Sequence, residues 1–156
     1  MRLCLICLGL LLFTRPAFAD DNDKLVGVWK LVGAVVEDVQ TKEAKPLYGG
    51  HPKGYLILLA SGRMMALLTA EGTKVPQTDE ERSAAYRAMA AYSGKYTVEG
   101  NTWTTKADVA WNPAFLVDQV RTFTLDGDKL HVETAPQMNP NFGKVVRVIL
   151  DWEREK

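Results

Sequence analysis

The chain has 156 residues, with 19 basic and 19 acidic side chains and a formal net charge of zero. That length suits one ordinary domain. A balanced charge leaves no electrostatic footprint for nucleic acid or an anionic membrane surface, so neither is an expected partner.

The N-terminus reads as an export signal. Met1-Arg2 supplies a positive start, Leu3 to Phe13 is almost wholly apolar, and Ala17-Phe18-Ala19 has the small-x-small pattern of a signal-peptidase site. Asp20, Asp21, Asn22 and Asp23 follow at once, as suits a solvated new terminus. Cleavage is therefore expected after Ala19, leaving residues 20–156 as one periplasmic or secreted domain. The apolar run spans 11 residues, too few to cross a bilayer as a helix, so no membrane span is expected in the mature protein. Removing the segment takes away Arg2 and Arg15, leaving 17 basic against 19 acidic residues, a net charge of −2. It also removes Cys4 and Cys7, the two cysteines of the chain. A mature chain of that kind has no disulfide, thiol nucleophile or thiolate metal site.

The rest consists mainly of short β-prone runs punctuated by turn residues. The first runs from Leu25 to Val39 and is interrupted by Gly33, where a strand can bulge or bend. A loop rich in Pro and Gly follows, from Pro46 to Gly54. Tyr55 to Ala60 and Arg63 to Thr69 are separated by Ser61-Gly62, a tight-hairpin signal. Thr78, with Glu81 three residues on, fits a capping box, and Asp79 and Glu80 suit the positive end of a helix dipole. Ala85, Met89 and Tyr92 fall on one helical face, so the pattern predicts a helix from Asp79 to Ala91. Strands then follow at Tyr92 to Glu99 and Thr102 to Ala110, joined by Gly100-Asn101. Gln119 to Leu125 and Lys129 to Thr134 are joined around Asp126-Gly127-Asp128, and Lys144 to Trp152 closes the chain.

These make eight strands, three pairs of them joined by tight turns. The fold class expected is all-β and mainly antiparallel: a closed eight-stranded up-and-down barrel, with one short helix between strands 3 and 4. Closure removes the edges that invite aggregation.

Residues two apart share a face of a strand. In the fifth strand Trp103, Val109 and Trp111 fall with Thr105 and Ala107, the side expected to face inward, opposite Lys106 and Asp108. In the sixth, Arg121 shares a face with Phe123 and Leu125. A charge on an apolar face is costly unless it is paired. Arg121 is therefore either an anion or carbonyl clamp in a pocket, or a scaffold residue tied to a carboxylate such as Asp118 or stacked on a tryptophan. Arg147 lies opposite the more apolar face of the last strand, which reads as scaffold.

Taken in order, these segments resemble the bacterial lipocalin-like domain family. Leu25-Val26-Gly27-Val28-Trp29-Lys30-Leu31-Val32 is similar to its opening strand and contains the Gly-x-Trp that begins true lipocalins. Pro52-Lys53-Gly54-Tyr55-Leu56, Gly62-Arg63-Met64 and Ala91-Tyr92-Ser93-Gly94-Lys95-Tyr96-Thr97-Val98 resemble the next strands. Asn112-Pro113, Gln119-Val120-Arg121, Phe123, Leu125, Gly127-Asp128 and Leu130 resemble the later hairpin. The resemblance extends from about Leu25 to the C-terminus. It implies a closed lipocalin-like barrel with an internal cavity. It also implies that Trp29 closes one end, packed by an arginine from a late strand, with Arg121, Arg147 and Arg154 the candidates. Where family members often carry two histidines in the fifth strand, this chain has Thr105 and Lys106.

No phosphate loop, nucleophile elbow or metal-ligand spacing occurs. His131 alternates with Leu130 and Val132 and should face solvent, while His51 lies in a Gly/Pro loop. No cofactor, metal or catalytic residue is expected on this reading. Tyrosines, methionines and tryptophans remain, and binding cavities are mostly apolar with a few placed polar groups. Tyr55, Met64, Tyr92, Tyr96, Trp111 and Arg121 are the candidate ligand-binding residues, and a small hydrophobic molecule is the expected partner. Two alternatives stay open. One is a cofactor-free isomerase or cyclase-like enzyme using Arg121 with Tyr96 or Asp118. The other is a structural envelope protein with a solid core.

Overall fold

The computed structural model of the protein describes residues 21–139 and 143–156. The export segment, with Cys4 and Cys7, lies outside these residues. A short helix α1 (Asp21–Leu25) leads into ten strands. These are β1 (Gly27–Asp38), β2 (Ala44–Pro46), β3 (Lys53–Leu58), β4 (Arg63–Thr69), β5 (Met89–Glu99), β6 (Thr102–Ala110), β7 (Asp118–Asp126), β8 (Lys129–Thr134), β9 (Gln137–Asn139) and β10 (Lys144–Arg154). Helix α2 (Asp79–Arg87) separates β4 from β5, and a single 3₁₀ turn, Pro113–Phe115, separates β6 from β7.

Eight long strands pair antiparallel in the order β1-β3-β4-β5-β6-β7-β8-β10, and β10 returns to β1 to close the barrel. The closing ladder runs from Trp29↔Arg154 to Asp38↔Val146. Val32 is the extra residue of a bulge in β1, since Leu31 faces Trp152 and Gly33 faces Asp151. The three-residue strands β2 and β9 flank this ladder, on β1 and β10 respectively.

The two barrel ends differ. At one end lie the tight hairpins near Gly62, Gly100 and Gly127, each glycine with positive φ (76°, 59° and 56°), a conformation that other residues adopt at a cost. At this end the wall is also plugged from within. Trp29 is fully buried and its Nε1 donates to the Leu25 carbonyl at 2.9 Å. Arg154 lies over the Trp29 ring, 4.1 Å from its centroid. Its Nη1 and Nη2 donate to the Val26 and Lys24 carbonyls at 2.9 and 2.6 Å. Of the three arginines the resemblance offers, Arg154 is the one that packs on Trp29. Gly27 beside it has a φ of 148°, a conformation that side-chain-bearing residues rarely adopt, and a Cβ there would also push on Arg154 Nη1.

All the long connections gather at the other end, including the chain between β2 and β3, α2, the 3₁₀ turn and the chain after β8. Inward residues follow the same polarity. The closed half is packed by Leu25, Leu56, Leu58, Met64, Leu130 and Trp152, each at most 2% exposed. Nearer the mouth, register places Ala34, Ala66, Ala90, Ala107 and Ala110 among the inward positions, together with Val36, Tyr92, Val148 and Leu150. Several of these, including Val36, Tyr92, Ala107, Ala110 and Val148, are only half-buried. Large side chains fill the closed half, and the mouth half mixes alanines and valines with Leu68, Tyr92 and Leu150.

The capping box of α2 forms as expected: Thr78 Oγ1 accepts from the Glu81 N–H, and the Glu81 carboxylate accepts from the Thr78 N–H. The helix stops at Arg87, however, rather than at Ala91. Met89, Ala91 and Tyr92 belong to β5, paired with Thr69, Leu67 and Ala66. A strand ladder with β4 satisfies their backbone groups and overrides the helical spacing of a weak apolar face. No α2 residue is buried.

At the mouth, Asp38 fastens β1 to β10. Its Oδ1 accepts the Gln40 and Thr41 N–H groups at 2.9 and 3.0 Å, and its Oδ2 meets Lys144 Nζ at 2.9 Å. The Lys144 hydrogen bond and then the Thr41 N–H hold its carboxyl at about 2, below the ordinary 3.8. A lowered carboxyl pKa stabilises the fold above the unfolded value and loses that contribution as pH falls through the folded one.

Two outcomes follow from these contacts. Trp29→Ala should lower unfolding free energy by about 3–5 kcal/mol in urea titration, and Arg154→Ala by a smaller ~1–3 kcal/mol. Asp38→Asn should flatten the fall in melting temperature between about pH 4 and pH 2, which thermal melts across that range will read.

Candidate functional site

The site is a polar patch on the inner wall, built by strand register. Tyr96 of β5 faces Thr105 of β6, and Thr105 faces Gln119 of β7. The next row towards the closed end joins Val98, Trp103 and Arg121, and Arg121 faces Thr134 of β8. Side chains directly opposite one another in an antiparallel pair lie about 5 Å apart, so the two rows are neighbours.

Each member has a defined role in the wall. Gln119 is buried, and its Nε2 donates to the Phe115 and Val117 carbonyls at 3.1 and 3.4 Å. That fixes the amide and turns Oε1 towards Arg121, whose Nη2 donates to it at 2.7 Å. Arg121 Nη1 donates to the Val120 carbonyl at 2.9 Å. The Thr134 hydroxyl accepts the Val148 N–H at 2.9 Å. Thr105 is fully buried and Trp103 is 3% exposed. Neither Thr105 Oγ1 nor Trp103 Nε1 has a hydrogen-bond partner among the described residues. Trp103 also packs on Phe123, with ring centroids 5.8 Å apart.

A cleft of about 440 Å³ reaches this patch. It forms where β7 and β8 part company. Their ladder ends at Arg121↔Thr134, and the chain beyond Thr134 leaves to pair as β9 with β10. Gln119, Arg121 and Thr134 line the cleft together with Phe115, Val117 and Met138.

The predicted lining residues do not share one space. Met64 and Tyr96 are buried on the inner face, at 1% and 5% exposure. Tyr92 points inward near the mouth and stacks on Phe115, with centroids 5.5 Å apart and ring planes 11° apart. Arg121 is inward and half-buried. Tyr55 is on the outside of the barrel, between the inward Gly54 and Leu56, and is 43% exposed. Trp111 is also outside, 51% exposed and packed against Tyr86 of α2 at 5.4 Å.

The outward position of Trp111 has a specific cause. Ser93 pairs with Val109 while Gly94 pairs with Ala107, so Asp108 is the extra residue of a bulge in β6. One extra residue exchanges the two faces of everything beyond it. Trp103, Thr105 and Ala107 face inward as expected, but Val109 and Trp111 turn out and Ala110 turns in. Arg63 holds the bulge from outside, with Nη1 and Nη2 each 2.7 Å from the Asp108 carboxylate and Nε donating to Ser93 Oγ. The strands approach so closely here that a Cβ on Gly94 would run into the Lys106 carbonyl.

Other charged groups form the outer scaffold. Arg147 bridges Glu37 at 2.8 Å and Glu133 at 2.6 Å, as its position opposite the apolar face implied. His131 faces outward between Asp151 and Glu133, at 2.7 and 3.3 Å, and the Asp151 hydrogen bond raises its pKa above the ordinary value. Asp118 is exposed at the start of β7 and forms no ion pair with Arg121, so the scaffold pairing read from their spacing does not occur. The Tyr96 hydroxyl donates to the Leu59 carbonyl at 3.1 Å rather than to Arg121.

A closed antiparallel barrel of eight strands, plugged at one end by a Gly-x-Trp and a late arginine, defines a lipocalin-type architecture. The model of the lipocalin-like domain family matches residues 26–155, and the chain belongs to that family. No curated protein matches the chain.

Proposed function

We propose that the protein is exported and binds a small, largely apolar organic molecule inside the mouth half of the barrel. One observation carries this reading: six inward residues of the mouth half, Val36, Tyr92, Ala107, Ala110, Val148 and Leu150, are only partly buried, whereas most large inward side chains of the closed half are packed. A barrel whose purpose was only structural would gain stability by filling that half with large apolar groups, at about 25 cal/mol per Å² of apolar surface removed from water. The family fold supports a ligand-binding role, and the Ala17-Phe18-Ala19 pattern supports export. The two pairings on which an isomerase-like reading would rest, Arg121 with Tyr96 and Arg121 with Asp118, do not form. Of the candidate lining residues, Tyr92, Tyr96 and Arg121 belong to the proposed ligand space, whereas Met64, 1% exposed, belongs to the packed half. Tyr55 and Trp111 are replaced by Trp103 and Thr105.

Native mass spectrometry of the full-length gene product, expressed in its own host, tests both halves of the proposal. The expected result is a mature chain beginning at Asp20 that carries a small molecule lost on denaturation. A chain that retains residues 1–19 would overturn export. Protein that carries no molecule, and takes up none from a panel of apolar and amphiphilic compounds, would overturn binding.

A further inference from the structure

We propose that the barrel ligand carries an oxyanion of the carboxylate class at one end of an apolar body, and that Arg121 receives it. This rests on the binding role proposed above and specifies the chemistry of the same site. Among the described residues, the strand arginines Arg63, Arg147 and Arg154 each meet a carboxylate, at 2.7, 2.6 and 3.4 Å. Arg121 meets none. Its two hydrogen bonds go to neutral oxygens, of Gln119 and Val120. A half-buried guanidinium has five N–H donors and cannot give up its proton, so its charge is left uncompensated in a wall where that is costly.

The neighbours point the same way. Trp103 Nε1 can only donate, and, like Trp152 Nε1 in the packed half, it lacks an acceptor among the described residues. Thr105 Oγ1 is fully buried beside Gln119 and is likewise unpartnered. Thr134 spends an acceptor position on the Val148 N–H and keeps its O–H to give. Gln119, the acceptor that faces Arg121, is already engaged with it. The patch therefore has donors in excess and few acceptors, which suits an incoming group that only accepts. Gln119 acts as a positioning residue: anchored by two backbone carbonyls, it holds the guanidinium against the wall before any ligand arrives. The apolar body of the ligand would lie towards the small inward residues of the mouth half, with its charged end at the cleft between β7 and β8.

Paired probes test this on the full mature protein: dodecanoate and dodecanol, which share a chain and differ in the head group. Dodecanoate should bind about tenfold or more tighter than dodecanol by calorimetry, the preference expected of charge-assisted hydrogen bonds. Arg121→Gln should abolish that preference and leave dodecanol affinity within about twofold, while Arg121→Lys should retain part of it. Arg82→Gln, the same charge change on exposed α2, should change neither affinity. Equal affinity of the wild-type protein for the two probes would overturn the carboxylate assignment and leave barrel binding intact. Binding of neither probe would overturn both. If Arg121→Gln fails to fold, the wild-type preference and its retention in Arg121→Lys still decide the matter.

Discussion

The structure depends on the antiparallel ladder between its first and last long strands. An eight-stranded sheet that did not close would expose two unpaired edges, β1 and β10, both rich in valine and prone to further pairing. The ladder runs from Trp29 to Asp38 of β1 and is pinned at both ends. Arg154 stacks on Trp29 at one end, and Lys144 meets Asp38 at the other. Between them, outside the barrel, Arg147 ties Glu37 to Glu133 across three strands. Contacts between residues more than a hundred positions apart thus set the barrel's circumference, and every inward position takes its orientation from that closure.

Closure also divides the interior. The Trp29–Arg154 plug demands that surrounding side chains be large and dry, and the buried leucines, Met64 and Trp152 meet that demand. Further along the same strands many inward residues are alanine or valine, and Val36, Ala107, Ala110 and Val148 are partly exposed. The change from filled to open occurs at the rows containing Thr105, Gln119, Trp103 and Arg121. Buried hydrogen-bonding groups left unpaired cost about 1–3 kcal/mol each, and Thr105 Oγ1 and Trp103 Nε1 are two such groups at that level. In the proposed binding role they form the floor of the ligand space.

Much of this was legible in the sequence because strand alternation and turn chemistry are local. The boundaries of Arg63–Thr69, Thr102–Ala110 and Lys129–Thr134 follow directly from Gly-containing turns on their flanks. Gly33 marked a bend and lies beside the β1 bulge. Gly27 and Trp29 indicated the closed end, and Arg121 stood out as a charge on an apolar face. What was not legible depends on partners distant in the chain. The bulge at Asp108 is set by Arg63 and Gly94, so the outward turn of Val109 and Trp111 cannot be read from β6 alone. Strands β2 and β9 are three residues long and lack a buried alternation, and only their neighbours order them. Helical spacing continued past Arg87, but pairing with β4 claimed Met89 to Tyr92. Gln119 and Thr134 were missed as site residues, although alternation already placed Gln119 on the face of Arg121. Tyr55 has the chemistry of a ligand contact, but its flanking inward residues, Gly54 and Leu56, set it outside.

The four tryptophan indoles sample the places that matter: Trp29 at the plug, Trp152 in the packed half, Trp103 at the polar rows and Trp111 on the outer wall. A ¹H–¹⁵N spectrum of the mature protein, recorded with and without a bound amphiphile, reads all four Nε1–H groups at once. A ligand seated in the barrel should move the Trp103 resonance most and leave Trp29, held by the Leu25 carbonyl, and Trp111 nearly unchanged. Movement of Trp111 with Trp103 unshifted would place the ligand on the outer wall and contradict binding inside the barrel.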